Sequence, residues 1–143
     1  MILGEGALRD ELQALANSLG VTEDFEMPGF AQNPYQYMHA ASLFVLSSRW
    51  EGSPNGLTEA LAVGTPVVAT DCPNGPIEIL QQGKLGPLVP MSDSEALSTA
   101  ILETLDNPLP AEVLRDGVAH YSVENSAREY LEAMQLPEQP NSG

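Results

Sequence analysis

The chain has a single cysteine, five basic residues and no long apolar run, and each shortage excludes something. With Cys72 alone no internal disulfide framework can form, which fits a reducing compartment, and this residue reads as a small side chain at a strand end rather than a reactive thiol. Five Lys and Arg against twenty Asp and Glu leave a net charge of −15, the wrong sign for nucleic acid or an anionic membrane surface. An anionic ligand would therefore be held mainly by backbone N–H groups and helix N-termini, since only Arg9, Arg49, Lys84, Arg115 and Arg128 are available. No stretch approaches the roughly 18 apolar residues of a membrane span, and no charged-then-apolar leader opens the chain, so the expected location is cytoplasmic. His39 and His120 stand alone with no metal-ligand spacing around them, and no metal cofactor is expected. Aromatics make up 6% of the residues, and Trp50 and Tyr35 read equally well as packing or loop residues and as stacking platforms for a ligand.

What is present suffices for one globular domain. A chain of 143 residues buries roughly 70% of the surface its unfolded form exposes, and 43% hydrophobic with 17% charged residues is ordinary for such a domain. Residues 1–136 are expected to form it, and residues 137–143 to be a disordered tail. Met1-Ile2-Leu3 reads as the end of a strand. A helix follows with Leu8, Leu12, Leu15 and Leu19 on one face, and Gly20 stands where a glycine stops a helix. A short strand is expected over Phe25-Glu26-Met27. Asn33-Pro34 opens a short helix.

Leu43-Phe44-Val45-Leu46 has the pattern of a parallel strand covered on both faces. Leu57, Ala60 and Leu61 face inward on a helix ending at Gly64, and Pro66-Val67-Val68-Ala69-Thr70 is a second buried strand. Asp71-Cys72-Pro73-Asn74-Gly75-Pro76 is a polar loop closed by a short helix. Leu88-Val89 is a last strand, and Ser92 or Asp93 caps a helix carrying Leu97, Ala100, Ile101 and Leu105. Two more helices follow, one near residues 111–121 and one with Val123, Ala127, Tyr130, Leu131 and Met134 in register. Strands alternating with helices imply an α/β fold: a Rossmann-like open parallel sheet with helices on both faces. Ligands then bind beyond the carboxyl ends of the strands.

The loop over residues 47–56 joins a buried strand to a helix without a hydrophobic reason for its contents. Glu51 lies in it and Glu59 eight residues later, where both carboxylates can face the crevice. Gly52 and Gly56 permit close backbone approach, and N–H groups around Asn55, Gly56 and Leu57 are expected to form an anion site at the helix N-terminus. A phosphate between two carboxylates that accept from sugar hydroxyls suits a nucleotide-sugar. The alternative is that Glu51 is solvated and Glu59 merely complements the helix dipole.

The longer string from Ser47-Ser48-Arg49-Trp50-Glu51-Gly52-Ser53-Pro54-Asn55-Gly56-Leu57-Thr58-Glu59-Ala60 through Gly64-Thr65-Pro66 to Asp71-Cys72-Pro73-Asn74-Gly75-Pro76-Ile77-Glu78 closely resembles the family 4 glycosyltransferases, which carry two glutamates separated by seven residues. Gly4-Glu5-Gly6 before a helix and Pro28-Gly29-Phe30 extend the resemblance to nearly the whole chain. It implies the donor half of a GT-B fold, binding a nucleotide-diphospho-sugar, expected to be a UDP-sugar. The transfer it implies moves a hexosyl or N-acetylhexosaminyl group, with retention and without an obligatory metal, to a glycan or lipid-linked acceptor. By the same resemblance Glu51 contacts the donor sugar as the catalytic residue and Glu59 binds the ribose. The segment Gly52, Ser53, Pro54, Asn55, Gly56 and Leu57 meets sugar and diphosphate, while Gly4, Gly6, Gly29 and Phe30 lie at the base or rim. Ser53-Pro54 stands where the commonest family form has Phe-Gly, which leaves the donor sugar open.

Family members also have an acceptor-binding domain and a first strand-helix unit ahead of the stretch that Met1 begins here. On that comparison both are missing, together with the Arg and Lys that hold the diphosphate, and the chain is expected to be inactive by itself. The complete enzyme is expected to be peripheral to the membrane. Two other readings compete: a non-catalytic binding module of glycosyltransferase shape, and a dinucleotide-binding oxidoreductase domain suggested by Gly4-Glu5-Gly6. The latter has Arg9 in place of its third glycine.

Overall fold

A computed structural model describes residues 1–134; the expected tail over residues 137–143 lies outside them. The chain separates into two compact units, Met1–Tyr37 and the part from Met38 onward.

In the first unit Leu3 pairs with Gly29 in an isolated parallel bridge, flanked by bonds from Ile2 N–H to the Glu26 carbonyl (2.8 Å) and from Gly4 N–H to the Gly29 carbonyl (2.8 Å). The strand expected over Phe25-Glu26-Met27 does not form. Gly4 (φ 106°) and Gly29 (φ 88°) turn both segments out of extended geometry after one pairing, so no ladder develops. Helix α1 (Arg9–Leu19) stops at Gly20 in the left-handed conformation (φ 70°), as a C-terminal glycine should. Its leucine stripe is not its covered face: Leu8, Leu15 and Leu19 are exposed, and Ala16 is the buried residue. Helix α2 (Pro34–Ala40) begins at the expected proline.

The second unit contains a three-stranded parallel sheet in the order β1-β2-β3: β1 (Phe44–Leu46), β2 (Val67–Thr70) and β3 (Leu88–Val89). Phe44 stands opposite Val67, and Ala69 opposite Leu88. The central strand is buried at all four positions, and its side chains alternate between two cores, as a period of two requires. Val67 and Ala69 pack with Leu57, Ala60 and Leu61 of α3 (Asn55–Ala62) and with Leu114 and Val118 of α6 (Ala111–Val118). Val68 packs on the opposite side with Ala100 of α5 (Ser94–Asp106). Helices thus cover both faces. Each fully buried leucine here contributes on the order of 1.5–3 kcal/mol.

Strand β1 departs from the expected two-sided burial, since Val45 is 38% exposed: an edge strand lacks neighbours on one flank. Asp93, rather than Ser92, caps α5, its Oδ1 accepting from Ala96 N–H at 2.9 Å. A 3₁₀ turn (Ala119–Tyr121) joins α6 to α7 (Val123–Ala133). The apolar register of α7 is present but uncovered, with Val123, Tyr130 and Met134 all exposed.

Candidate functional site

Parallel strands send all their carboxyl ends to one edge of the sheet, so the loops after Leu46 and Thr70 leave from the same rim. Thr70 fastens them together. It is buried at the end of β2, and its hydroxyl donates to the Ser48 carbonyl at 2.5 Å, while Glu51 N–H reaches the Pro73 carbonyl at 3.4 Å. Pro54 is buried and seats against Gly75, where a Cβ would lie 2.5 Å from Pro54 Cδ. Gly75 has φ 115°, which only glycine adopts without strain, and so lets the second loop close on the first before entering α4 (Pro76–Ile79).

Between these loops opens a cleft of about 580 Å³, within the usual range for small-molecule sites of roughly 300–1,000 Å³. Gly52, Ser53, Asn55, Thr58 and Glu59 supply one part of its lining. Asn74, Gly75, Glu78 and Ile79 supply a second, and Tyr121 with Ser126 a third. The structure therefore brings together Gly52, Ser53, Asn55 and Glu59 of the expected site. A Cβ on Gly52 would meet nothing within 4 Å, so no protein atom explains that glycine.

Other expected residues stand elsewhere. Glu51 is not part of the cleft lining, because its Oε1 is turned back to accept from Ser48 Oγ at 2.6 Å. Leu57 is a core residue with no exposed surface, and Pro54 and Gly56 are wall supports, Gly56 lying 3.4 Å from the Phe44 ring by its would-be Cβ. The expected anion site is also reduced. Asn55 N–H is spent on the Ser53 carbonyl and Leu57 N–H on the Pro54 carbonyl, both at 2.9 Å, so the first turn of α3 caps itself.

Charge in the cleft is one-sided. Glu59 and Glu78 line it, and no Lys or Arg does. Arg9 is held by Glu5 (2.8 Å) and the Met27 carbonyl (2.9 Å), Arg115 by the Val63 carbonyl, and Arg128 by Asn125. Burial, reinforced by the negative charge of Glu78, pushes the Tyr121 phenol above its ordinary value. Tyr121, Ser126 and Glu78 escaped the sequence reading as site residues. Glu78 lay within the resembling string, but nothing local in the sequence marks a tyrosine after α6 as a cleft wall. His120 packs its ring beside Tyr121, centroids 4.1 Å apart, and His39 Nδ1 lies 3.3 Å from the Val63 carbonyl. Among the described residues no three His, Cys, Asp or Glu side chains converge, and no helix is long and apolar enough to cross a membrane.

The remaining expected residues, Gly4, Gly6, Gly29 and Phe30, belong to the first unit. Gly29 is tightly enclosed, a Cβ there falling 2.5 Å from Glu5 Oε1, while Phe30 is 81% exposed. The hydrogen bond from Arg9 holds the Glu5 carboxyl below the usual carboxylate range. Arg9 thus serves as a clamp on the Gly4-Glu5-Gly6 turn, where a dinucleotide fingerprint would need a glycine.

An open parallel sheet, helices on both faces and a polar cleft at the carboxyl edge define an α/β ligand-binding domain. The chain belongs to the glycosyl transferases group 1 family, whose model matches residues 1–107. It is 36% identical over 107 residues to the N-acetylgalactosamine-N,N'-diacetylbacillosaminyl-diphospho-undecaprenol 4-alpha-N-acetylgalactosaminyltransferase of Campylobacter jejuni, covering 75% of this chain and 29% of that protein. The lipopolysaccharide outer core galactosyltransferase WaaB superposes with a TM-score of 0.83 at 20% identity, over 94% of this chain and 39% of that one. Anabaena HepE, solved in complex with UDP, gives 0.82 at 23% identity, over 93% of this chain and 39% of its own. These two likenesses carry the fold, which is GT-B. The chain spans well under half the length of each of the three.

Proposed function

We propose that the chain is the donor-binding part of a retaining glycosyltransferase that holds a UDP-sugar for transfer to a glycan or lipid-linked acceptor. The observation that carries this reading is the polar cleft at the carboxyl edge of the sheet, with Glu59 from the second turn of α3 in its wall, inside the stretch matched by the family. An ionised glutamate only accepts hydrogen bonds, which suits the vicinal hydroxyls of a ribose. Glu51 serves the donor sugar. Its bond to Ser48 occupies one of about four lone-pair sites, so it retains capacity for a ligand. The segment from Gly52 to Leu57 approaches sugar and diphosphate, Gly52 offering space that no protein atom fills. Gly4, Gly6, Gly29 and Phe30 serve the base or rim.

The activity belongs to a longer protein of the relatives' size, and this chain alone does not turn over. The cleft lacks the cations that a diphosphate demands, and relatives named as transferases are far longer. No metal is obligatory. UDP in complex with HepE supports the choice of nucleotide.

Calorimetric titration of the purified chain with UDP-glucose, UDP-N-acetylglucosamine and NAD checks the reading. Binding of a UDP-sugar that Glu59→Ala weakens at least tenfold is expected. Binding of NAD alone, or glycosyl transfer by the isolated chain, overturns it. A non-catalytic module of the same fold is the outcome if Glu51→Ala and Glu59→Ala both leave UDP-sugar binding unchanged.

A further inference from the structure

We infer that Tyr121 and Glu78 are specificity-determining residues of this cleft, which contact hydroxyls of the neutral glycosyl part of the donor. The inference rests on the nucleotide-sugar reading above and goes beyond it by naming what selects the sugar.

Three features of the cleft carry it. First, its wall holds two carboxylates, Glu59 and Glu78, and no cation, in a chain of net charge −15. A diphosphate entering that volume would meet charges of its own sign, whereas a glycosyl group carries none. The interior of the cleft therefore suits the uncharged end of a nucleotide-sugar. Second, the wall is a mixed donor-acceptor set. Glu78 accepts only, and the Tyr121 and Ser126 hydroxyls each donate one bond and can accept others. Sugar hydroxyls each donate one bond and accept others, so adjacent hydroxyls are matched by an adjacent donor and acceptor. Tyr121, 40% exposed, also presents part of an aromatic ring, amphipathic in the way a sugar face requires.

Third, Tyr121 and Ser126 fall outside residues 1–107, the stretch that the family model matches. The turn after α6 and the start of α7 thus add to the cleft a wall that lies beyond that stretch, and it is where a choice among sugars would be made.

The test separates this inference from the reading on which it rests. Affinities of UDP, UDP-glucose, UDP-galactose and UDP-N-acetylglucosamine are measured up to millimolar concentration by saturation-transfer NMR for the parent chain, Tyr121→Phe and Glu78→Gln. Both substitutions are near-isosteric and Glu78 is exposed, so the variants fold, which a thermal melt verifies. The expected result is that UDP changes by no more than about twofold, while the preference for the best UDP-sugar over UDP drops about tenfold in each variant, as loss of one hydrogen-bond partner to a ligand predicts. If both variants keep the parent's preference, this inference is overturned and the donor reading stands. If the parent binds UDP but none of the sugars more tightly, the inference is likewise overturned. If no nucleotide binds, both fail.

Discussion

Two glycines in the cleft wall differ in what they answer to, and substituting each by alanine separates structure from ligand. At Gly75 the backbone has φ 115° and ψ −56°, a conformation that costs an L-residue about 1–3 kcal/mol. An added Cβ would also lie 2.5 Å from Pro54 Cδ and 3.2 Å from Pro54 Cγ. The pyrrolidine ring is covalently tied to its backbone and buried, so it cannot swing aside; such overpacking costs about 1–3 kcal/mol more. The two terms sum to roughly 2–6 kcal/mol, of which the loops recover part by shifting, so Gly75→Ala loses roughly 2–5 kcal/mol net. For a chain of this length about 4 °C of melting temperature is lost per kcal/mol, giving a drop of about 8–20 °C. At Gly52, by contrast, the added methyl meets no atom within 4 Å and φ is not in the left-handed region, so Gly52→Ala should melt within about 2 °C of the parent. If Gly52 is where the ligand approaches, the same substitution lowers UDP-sugar affinity. Circular-dichroism melts and a UDP-sugar titration of both variants provide the check. A Gly75→Ala chain as stable as the parent would refute the seating of one loop on the other. A Gly52→Ala chain that binds normally would refute the use of that space.

Other consequences are more local. Asp93→Ala removes the side-chain cap of α5 and should cost about 1 kcal/mol in urea denaturation, with Asp93→Asn close to neutral. Tyr121 should be among the last tyrosines to ionise in an alkaline spectrophotometric titration, because burial first and Glu78 second raise its phenol above the ordinary 10.0. A raised value means that the folded chain holds the proton more tightly than the unfolded one. The associated stability is therefore complete below about pH 10 and is lost as pH climbs through the folded value. Tyr121→Phe removes that late phase, and Glu78→Gln moves it to lower pH. EDTA should leave UDP-sugar binding by the chain unchanged, and a loss restored by a divalent cation would refute the metal-independent reading.

Periodicity in the sequence located the second unit's elements because there the pattern and the packing agree. Leu57, Ala60 and Leu61 are inward, fully buried and adjacent to β2, and the unbroken apolar run Val67-Val68-Ala69 is covered on both sides. A pattern records which face is apolar, however, and not whether anything covers it. The leucines of α1 and the Val123, Tyr130 and Met134 face of α7 are in register but exposed. Phe25-Glu26-Met27 has strand composition, yet one bridge at Leu3 and Gly29 is all that positive φ at Gly4 and Gly29 allows. For the site, Glu59 was legible from its place after the loop. The turn of Glu51 onto Ser48 was not, since a three-residue side-chain bond competes locally with any ligand. Tyr121 and Ser126 lie over forty positions from Glu78, and contacts at that separation leave no trace in local composition.

That distant wall changes the meaning of the acidity noticed at the outset. Arg9, Arg115 and Arg128 all serve as clamps, and none lines the cleft. Of the backbone N–H groups at the start of α3, those of Asn55 and Leu57 are already bonded to Ser53 and Pro54. The side chains of the cleft are thus matched to hydroxyls, and no cation among them balances the charge of a diphosphate that approaches the segment from Gly52 to Leu57. Carboxylates that would repel a diphosphate are good acceptors for a glycosyl group, so acidity and sugar recognition are two results of one side-chain choice.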